Sequence, residues 1–287
     1  MLNLLAEAKN DFYNLIQQNL SIDAFLIKYM LKLLKKIGLQ NLFIERITFK
    51  LSDDLKIFFN DEATFYINIP DHYIRREYLR HPDYIPRKGW VVFDIGAYIG
   101  IYSLWAAKRV DEEGFVVAFE PNPLAFRWLI SNIMLNKMKN IKALPFALGD
   151  KSSKATLYVA RENIEASSLI KDHLINNPSG HYTVANVYTV PVLSLDYIID
   201  KSNKIIGRAI NHIDLVKIDV EGYEMNVLKG AEKTLNKGSI ERLIIEVHLD
   251  QVSTKDLLKY LQKHSYLLDK IVRFDHVKEV AYLRLKY

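Results

Sequence analysis

One strand–turn–helix–strand unit constrains the fold of this chain more than any other feature. The apolar run Val91–Ile95 carries an acid, Asp94, and leads into a turn that contains Gly96 and Gly100. A second apolar run follows and ends in another acid, Glu120. Two apolar strands joined by a helix, with glycines after the first and a carboxylate closing the second, are typical of the nucleotide-binding half of a doubly wound sheet. The unit therefore predicts an α/β protein.

The remainder of the chain continues this alternation of strands and helices. The predicted strands lie near 90–94, 116–120, 141–146, 214–219 and 242–248. The predicted helices lie near 99–109, 123–136, 223–235 and 253–264. Two alternating runs, about 266–273 and 278–285, predict a closing antiparallel pair. The expected fold is a Rossmann-like, doubly wound sheet, mostly parallel, with an antiparallel C-terminal strand.

The pattern divides the chain into an extension, residues 1–88, and a main domain, residues 89–287, with an insertion at about 151–212. The extension predicts two amphipathic helices up to about residue 38, a β-hairpin within 43–70, and a short helix and linker over 71–87. The hairpin is expected to pair Leu55–Phe59 with Ala63–Ile69. The polar insertion contains predicted strands near 156–160 and 188–192, and is interpreted either as a substrate loop or as a surface elaboration.

The composition is that of an ordinary globular protein. The chain has 287 residues, 49% of them apolar and 25% charged, with a net charge of +5. It has no cysteine, which excludes disulfides and thiolate metal sites. No long apolar segment or signal-peptide pattern is present, so a cytoplasmic location is expected. The lysine-rich helix over residues 21–38 suggests docking, a homo-oligomer contact or peripheral membrane contact.

The glycine turn and the second acid together predict an adenosine-containing cofactor. Glycines leave room for a ligand close to the backbone, and a carboxylate at the position of Glu120 accepts hydrogen bonds from both ribose hydroxyls. Tyr98 places bulk where a dinucleotide needs its pyrophosphate cradle. The helix-starting segment Pro121-Asn122-Pro123 also favours S-adenosylmethionine, with a nicotinamide dinucleotide and hydride transfer as the alternative.

Six segments, taken in order, resemble the FkbM-type S-adenosylmethionine-dependent methyltransferases. They cover about residues 89–250 and read FDIGAYIGIYSLWAA, VVAFEPNP, PFALGDKSS, VPVLSLDYII, LVKIDVEGYEMNVLKGA and LIIEVH. The resemblance implies a class I methyltransferase fold and methylation of hydroxyl groups on sugars or natural products. The chain departs from the family at Tyr98, a position commonly occupied by asparagine, so the contribution of Tyr98 to cofactor binding is left open.

The resemblance also implies roles for individual residues. The methionine end of the cofactor is expected beside the first turn, at Asp94, Gly96, Ala97, Tyr98 and Gly100. The ribose is expected at Glu120, with Pro121 and Asn122 beside it, and the adenine at Ala147 and Leu148. Ser167 and Ser168 of the insertion are expected to approach the same pocket.

Asp219, Glu221 and His248 follow two further strands and are the candidate catalytic residues. Methyl transfer to an alcohol requires removal of the hydroxyl proton, which a histidine or a carboxylate can accept. Glu221 could instead cap a helix, and a lone histidine is usually structural. A divalent metal held by Asp219, Glu246 and His248 is an alternative that is not favoured. Lys217, within the fourth strand, is expected to be ion-paired, with Glu246 as the candidate partner.

The function predicted from the sequence is O-methylation of a hydroxyl on a sugar, glycolipid or similar metabolite, with a small molecule or glycan as the acceptor. An RNA methyltransferase of the same fold is one alternative. The sequence shows no RNA-binding motif and its basic residues are spread, which argues against nucleic acid as a partner. A non-catalytic cofactor-binding or scaffold protein is the other alternative.

Overall fold

The structure is a computed structural model that describes residues 48–50, 54–58, 76–176, 182–274 and 276–286, with the backbone alone for 48–50. The helices predicted over residues 1–38 and the predicted strand Ala63–Ile69 lie outside these ranges. The strands are β1 Thr48–Lys50, β2 Lys56–Phe58, β3 Val91–Ile95, β4 Phe115–Phe119, β5 Ile141–Leu144, β6 Ala147–Leu148, β7 Ser153–Ala160, β8 Val184–Leu193, β9 Leu215–Ile218, β10 Arg242–His248, β11 Tyr266–Arg273 and β12 Lys278–Leu285. The helices are α1 Ile101–Val110, α2 Pro123–Leu135, α3 Lys171–Ile175, α4 Leu195–Asp200, α5 Ser202–Ile205, α6 Glu224–Lys229, α7 Glu232–Asn236 and α8 Thr254–Lys263.

A seven-stranded sheet organises the protein. Its strand order is β11-β12-β10-β9-β3-β4-β5. The five strands from β10 to β5 are parallel to one another, and β12 is antiparallel to both of its neighbours. The predicted doubly wound sheet with an antiparallel C-terminal strand is confirmed. Helices cover both faces of the sheet. Because β3, β4, β9 and β10 are parallel, their carboxyl ends meet at one edge, where such folds bind ligands.

The core lies on both faces of this sheet. One apolar cluster includes Leu104 and Trp105 of α1, and the other includes Leu228 of α6 and Leu257 of α8. The central strands are almost continuously buried, as parallel strands covered on both sides must be. No helix in the described ranges has the length and apolar content that crossing a membrane requires.

Two parts of the chain differ from the predicted elements, the helix after β9 and the strands of the insertion. The helix predicted over 223–235 is divided into α6 and α7 at Gly230, whose carbonyl accepts a hydrogen bond from the Asp196 N–H at 2.9 Å. A residue with a side chain does not fit at Gly230, because its Cβ would lie 1.9 Å from the Gly149 carbonyl oxygen. The insertion strands are longer than predicted, and β7 and β8 form a small sheet with the unpredicted β6.

The described residues before Gly89 pack on the main core. Strand β2 pairs with β1, and the partner predicted for it, Ala63–Ile69, lies outside the described residues. Its outer edge is held by α2, because the Asn132 and Asn136 side-chain amides bond to the backbone of Phe58 and Lys56. Within the described part of the predicted helix and linker, residues 76–87, the helical element is a 3₁₀ turn, Pro82–Tyr84, whose tyrosine is fully buried.

Candidate active site

A cavity opens at the carboxyl edge of β3, β4 and β9, and the empty space within it, including the part open to solvent, is about 630 Å³. Its apolar wall consists of Ile95, Phe119, Phe146, Leu148, Leu157, Ile164, Leu169 and Val220. The acids on its surface are Glu120, Glu165, Asp219 and Glu221. The mixture of apolar walls with a few polar groups is that of a small-molecule site.

The glycine turn after β3 brings the backbone close to the end of β9. Gly96 has a φ of 83°, and a Cβ added there would lie 1.7 Å from the Asp219 carbonyl oxygen. The N–H groups of Gly96 and Ala97 both donate to the Phe119 carbonyl at 3.0 Å. The turn is therefore fixed to β4 and packed against β9, and only glycine fits at its first position.

The substitution Gly96→Ala is expected to distort the turn and lower cofactor affinity by at least about tenfold, since both the positive φ and the contact with Asp219 oppose a Cβ. The measurement is isothermal titration with S-adenosylhomocysteine together with urea unfolding. Gly207→Ala is the matched control, because Gly207 has a φ of 91° but open space around its Cβ position. Equal effects of the two substitutions would contradict a specific requirement at Gly96.

The backbone of Tyr98 suits the asparagine that the family resemblance leads us to expect at its position. Tyr98 has a φ of 51°, in the left-handed region that asparagine tolerates better than other non-glycine residues. Its N–H donates to Glu120 Oε2 at 2.7 Å, and its ring is buried against the cavity. The residue therefore keeps the backbone geometry of the turn while adding an aromatic wall.

Glu120 is buried and is held in place by two backbone donors. Its Oε2 accepts the Tyr98 N–H, and its Oε1 accepts the Asn122 N–H at 2.8 Å. Burial raises the pKa of the Glu120 carboxyl to about 7, although these two hydrogen bonds oppose the rise. Each carboxylate oxygen has a second lone pair, so Glu120 keeps the capacity to accept two further donors.

Lys217 is buried beneath the turn and pairs with acids on two strands. Its Nζ lies 3.3 Å from Asp94 Oδ1, 3.3 Å from Asp219 Oδ2 and 2.9 Å from the Gly96 carbonyl oxygen. The prediction that Lys217 is ion-paired is confirmed, but the suggested partner, Glu246, is wrong. Parallel register aligns Lys217 with Asp94, and places Glu246 two residues beyond the partner of Lys217 on β10.

Asp94 is consequently a structural acid beneath the turn. Its side chain is fully buried, and Oδ2 accepts the Ser103 hydroxyl at 2.5 Å. Burial raises the pKa of the Asp94 carboxyl, and the Lys217 ammonium opposes this rise. For Lys217 itself, burial would lower the pKa, but Asp94 and Asp219 hold it above its usual value.

Asp219 is the acid that faces the cavity from the end of β9. Its Oδ2 accepts the Tyr78 hydroxyl at 2.9 Å, while Oδ1 has no hydrogen-bond partner within the described ranges. The same Tyr78 hydroxyl lies 2.7 Å from Glu246 Oε2, and burial raises the pKa of Tyr78 well above its usual value. Tyr78 was not predicted as a site residue, because no motif in the extension marks it.

Glu221 and His248 form part of a second cluster at the cavity wall. Glu221 has a left-handed φ of 52°, and its Oε2 lies 3.3 Å from His248 Nε2 and 2.9 Å from His173 Nε2. Burial would raise the pKa of Glu221, but the imidazoles of His248 and His173 hold it below its usual value. His248 Nδ1 lies 2.8 Å from Glu224 Oε1, so carboxylates face both nitrogens of this ring.

The insertion reaches the cavity and is tied to its rim. The Asn122 side-chain amide donates to Ser167 Oγ at 3.1 Å, and the Ser168 hydroxyl donates to the Glu221 carbonyl at 2.7 Å. His173, from α3 of the insertion, joins the Glu221 cluster. His173 was not predicted as a site residue, since the insertion shows no recognisable motif.

Most of the predicted site residues converge on this edge, but not all of them face the cavity. Those that line it are Gly96, Tyr98, Glu120, Pro121, Ala147, Leu148, Ser167, Asp219 and Glu221. The others are not on its surface but lie close to residues that are: Asp94, Ala97, Gly100, Asn122, Ser168 and His248. Asn122, for example, caps α2 by accepting the Leu124 N–H.

The strand order and a cavity at the carboxyl edge, with an acid closing β4, define a class I S-adenosylmethionine-dependent methyltransferase. The model of the methyltransferase FkbM domain matches residues 94–268. The chain belongs to the FkbM methyltransferase family, as the six segments suggested.

Two sequence relatives agree with this assignment. The chain is similar to the 31-O-demethyl-FK506 methyltransferase FkbM of Streptomyces tacrolimicus, with 29% identity over 206 residues, which cover 67% of this chain and 77% of that protein. It is 27% identical over 173 residues to the hexuronic acid methyltransferase AglP of Haloferax volcanii, covering 60% and 62%. A solved structure, methyltransferase FkbM from Methylobacillus flagellatus KT, aligns with a TM-score of 0.47 and 18% identity over 77% of this chain and 53% of that chain.

Proposed function

We propose that the protein transfers a methyl group from S-adenosylmethionine to a hydroxyl group of a sugar or similar oxygen-rich metabolite. The observation that carries this proposal is the placement of two acids along one cavity. Glu120 lies at the end of β4, and Asp219 lies at the end of β9 beyond the glycine turn. One acid is positioned for the ribose and the other for the acceptor.

The residues around the cavity fit the proposed cofactor. Glu120 has free lone pairs for the two ribose hydroxyls, and the apolar wall at Phe146, Leu148 and Leu157 suits adenine. The turn at Gly96 and the ring of Tyr98 would border the methionine end. When bound, S-adenosylmethionine supplies a sulfonium-activated methyl group.

Asp219 is the proposed proton acceptor. As the acceptor oxygen forms its bond to the methyl carbon and the sulfur–carbon bond breaks, the hydroxyl proton passes to the Asp219 carboxylate. Lys217 and Tyr78 hold Oδ2, which leaves Oδ1 for this contact. His248 has carboxylates against both nitrogens, and Glu221 and Glu224 hold its pKa well above its usual value although burial would lower it. His248 is therefore assigned a supporting position rather than the role of base.

Two relatives support an oxygen-rich acceptor. One is named for an O-demethyl compound and the other for a hexuronic acid. The decisive experiment supplies S-adenosylmethionine with a labelled methyl group and a panel of glycosides, uronic acids, hydroxylated natural products and RNA. Label on a hydroxyl oxygen of a small molecule is the expected result. Transfer to RNA alone, or cofactor binding without transfer to any acceptor, would overturn the proposal in favour of the RNA or scaffold alternative.

Glu120→Gln is expected to weaken S-adenosylhomocysteine binding by about 10- to 100-fold, the range for a hydrogen bond to a charged group. Both oxygens of Glu120 accept backbone N–H groups, so the glutamine NH₂ would oppose one of these donors. Glu165→Gln is the matched control, because Glu165 lines the cavity from the insertion. Calorimetric titration of both variants distinguishes them, and a similar loss in both would contradict the ribose assignment.

The raised pKa of Glu120 adds a pH dependence. The ionised carboxylate accepts both ribose hydroxyls, whereas protonation below about pH 7 converts one oxygen into a donor. Wild-type affinity should be constant well above pH 7 and fall as the pH drops below it, by a total of about 10- to 100-fold, the loss expected for the neutral side chain of Glu120→Gln. The same titration of Glu120→Gln should show no such slope.

A further inference from the structure

Two histidines and one glutamate converge at the cavity wall in an arrangement that suits a metal ion. His173 Nε2 and His248 Nε2 lie 2.9 and 3.3 Å from the same oxygen, Glu221 Oε2. The two rings are 5.1 Å apart and nearly perpendicular, with an interplanar angle of 83°. Two atoms that each lie about 2.1 Å from one ion are about 3.0 Å apart at a right angle and about 3.4 Å apart at a tetrahedral angle. The two observed nitrogen–oxygen distances, 2.9 and 3.3 Å, are close to these two values.

The outer nitrogens of both rings are held in the way that metal-binding histidines usually are. His173 Nδ1 lies 2.7 Å from Asp250 Oδ2, and His248 Nδ1 lies 2.8 Å from Glu224 Oε1. A carboxylate on Nδ1 fixes the ring and leaves Nε2 as the ligand atom, which is the usual second layer of a metal site. Both histidines show this pattern independently, one on α3 and one at the end of β10.

The charges around the cluster also favour a divalent cation. Three carboxylates, those of Glu221, Glu224 and Asp250, contact the two rings, while Lys278 lies nearer to Glu246 and Glu77. A metal ion binds the neutral form of each imidazole, so the three carboxylates then need a positive charge from the ion itself. A divalent ion between the two Nε2 atoms and Glu221 supplies the missing positive charge.

We propose that His173, His248 and Glu221 form a site for a divalent transition-metal ion of the zinc or manganese type. Two imidazoles and one carboxylate suit such ions better than magnesium or calcium, which prefer oxygen ligands. The ligand set leaves further coordination positions, and Glu221 lines the cavity. The open positions therefore take the acceptor oxygen, and this second part rests on the proposed transfer to a hydroxyl group.

The ion would also join the insertion to the main sheet. His173 belongs to α3 in the insertion, whereas Glu221 and His248 follow β9 and β10. The sequence interpretation considered a metal on Asp219, Glu246 and His248 only as an alternative that it did not favour. That group does meet at the same edge, with Glu246 Oε1 3.7 Å from His248 Nε2, but it has one nitrogen ligand and its acids are already engaged by Tyr78, Lys217 and Lys278.

The test begins with the full-length protein, treated with a chelator, dialysed and titrated with zinc or manganese ions alone. One equivalent of bound metal by elemental analysis, and a visible d–d absorption spectrum with cobalt, are the expected results. Asp250→Asn should weaken binding by about 10- to 100-fold, and His173→Ala and Glu221→Gln by more than that. The matched control is His212→Ala, whose side chain belongs to an exposed group with Asp214 and Glu241 and should leave the equivalent in place.

Three measurements distinguish the outcomes: bound metal, binding of S-adenosylhomocysteine, and methyl transfer. No bound metal in the wild type, or full binding by a folded His173→Ala variant, would overturn the site. Binding of S-adenosylhomocysteine by the same samples is measured separately, so loss of the metal site is distinguishable from failure of the proposed function. With metal bound, loss of transfer after chelation and its recovery on adding metal supports acceptor ligation, and unchanged transfer after chelation refutes it.

Discussion

Asp219→Asn should reduce kcat for methyl transfer by about 10²- to 10⁴-fold, the usual contribution of a positioned general base. The amide has nearly the same shape as the carboxylate but does not accept a hydroxyl proton. Affinity for S-adenosylhomocysteine should change little, because Glu120 and the glycine turn provide the proposed cofactor contacts. Steady-state kinetics with a saturating labelled cofactor, and calorimetry on the same sample, provide the two measurements.

The control for this substitution is Asp200→Asn, which changes an exposed aspartate at the end of α4 and should leave kcat unaltered. The comparison also distinguishes two kinds of acceptor oxygen. A carboxylate acceptor carries no proton at neutral pH, so its methylation does not need a base. A kcat for Asp219→Asn close to that of the wild type would therefore contradict the assignment of Asp219 as the proton acceptor.

Lys217→Met is expected to lower the free energy of unfolding by about 3–5 kcal/mol, the usual cost of removing one partner from a buried ion pair. The substitution leaves the fully buried Asp94 carboxylate without its cation and removes the hydrogen bond to the Gly96 carbonyl. The lysine Nζ also lies 5.0 Å from the centre of the Tyr78 ring, so a cation–π contact is lost as well. Urea unfolding at neutral pH measures the difference.

The double variant Asp94→Asn/Lys217→Met should recover part of this loss, because no uncompensated charge then remains at Asp94. Lys88→Met is the control, since Lys88 pairs with Glu113 at an exposed position and should have a small effect on stability. A destabilisation by Lys217→Met no larger than that of Lys88→Met would show that the buried pair does not hold the turn.

The sheet and the cofactor edge could be predicted because their sequence signals are local. Each central strand is a short apolar run, and Asp94, Glu120 and Asp219 stand in or directly after such runs. Parallel order then brings their ends to one edge without any knowledge of side-chain contacts. The same rule assigned Glu221 and His248 to the correct neighbourhood, and the structure adds their individual partners.

The remaining parts depend on register and on segments without periodic patterns. Lys217 pairs with Asp94 because β3 and β9 are aligned at those residues, and sequence spacing does not reveal the register of parallel strands. Tyr78 and His173 reach the site from the extension and the insertion, where their neighbours show no motif. Tyr98 is different, because the sequence already marked it as unusual. The resemblance leads us to expect asparagine at its position, and Tyr98 has the left-handed backbone that asparagine tolerates well.

Three polar contacts attach the insertion to the rim of the cavity. Ser167, Ser168 and His173 attach one short stretch of chain to Asn122 and to Glu221, on opposite sides of the cavity. These polar contacts lie on the same stretch, so movement of the insertion away from the rim has to break them together. We expect a rapid first turnover before a slower linear phase where release of the spent cofactor requires that movement, and a linear time course from the start would contradict this expectation.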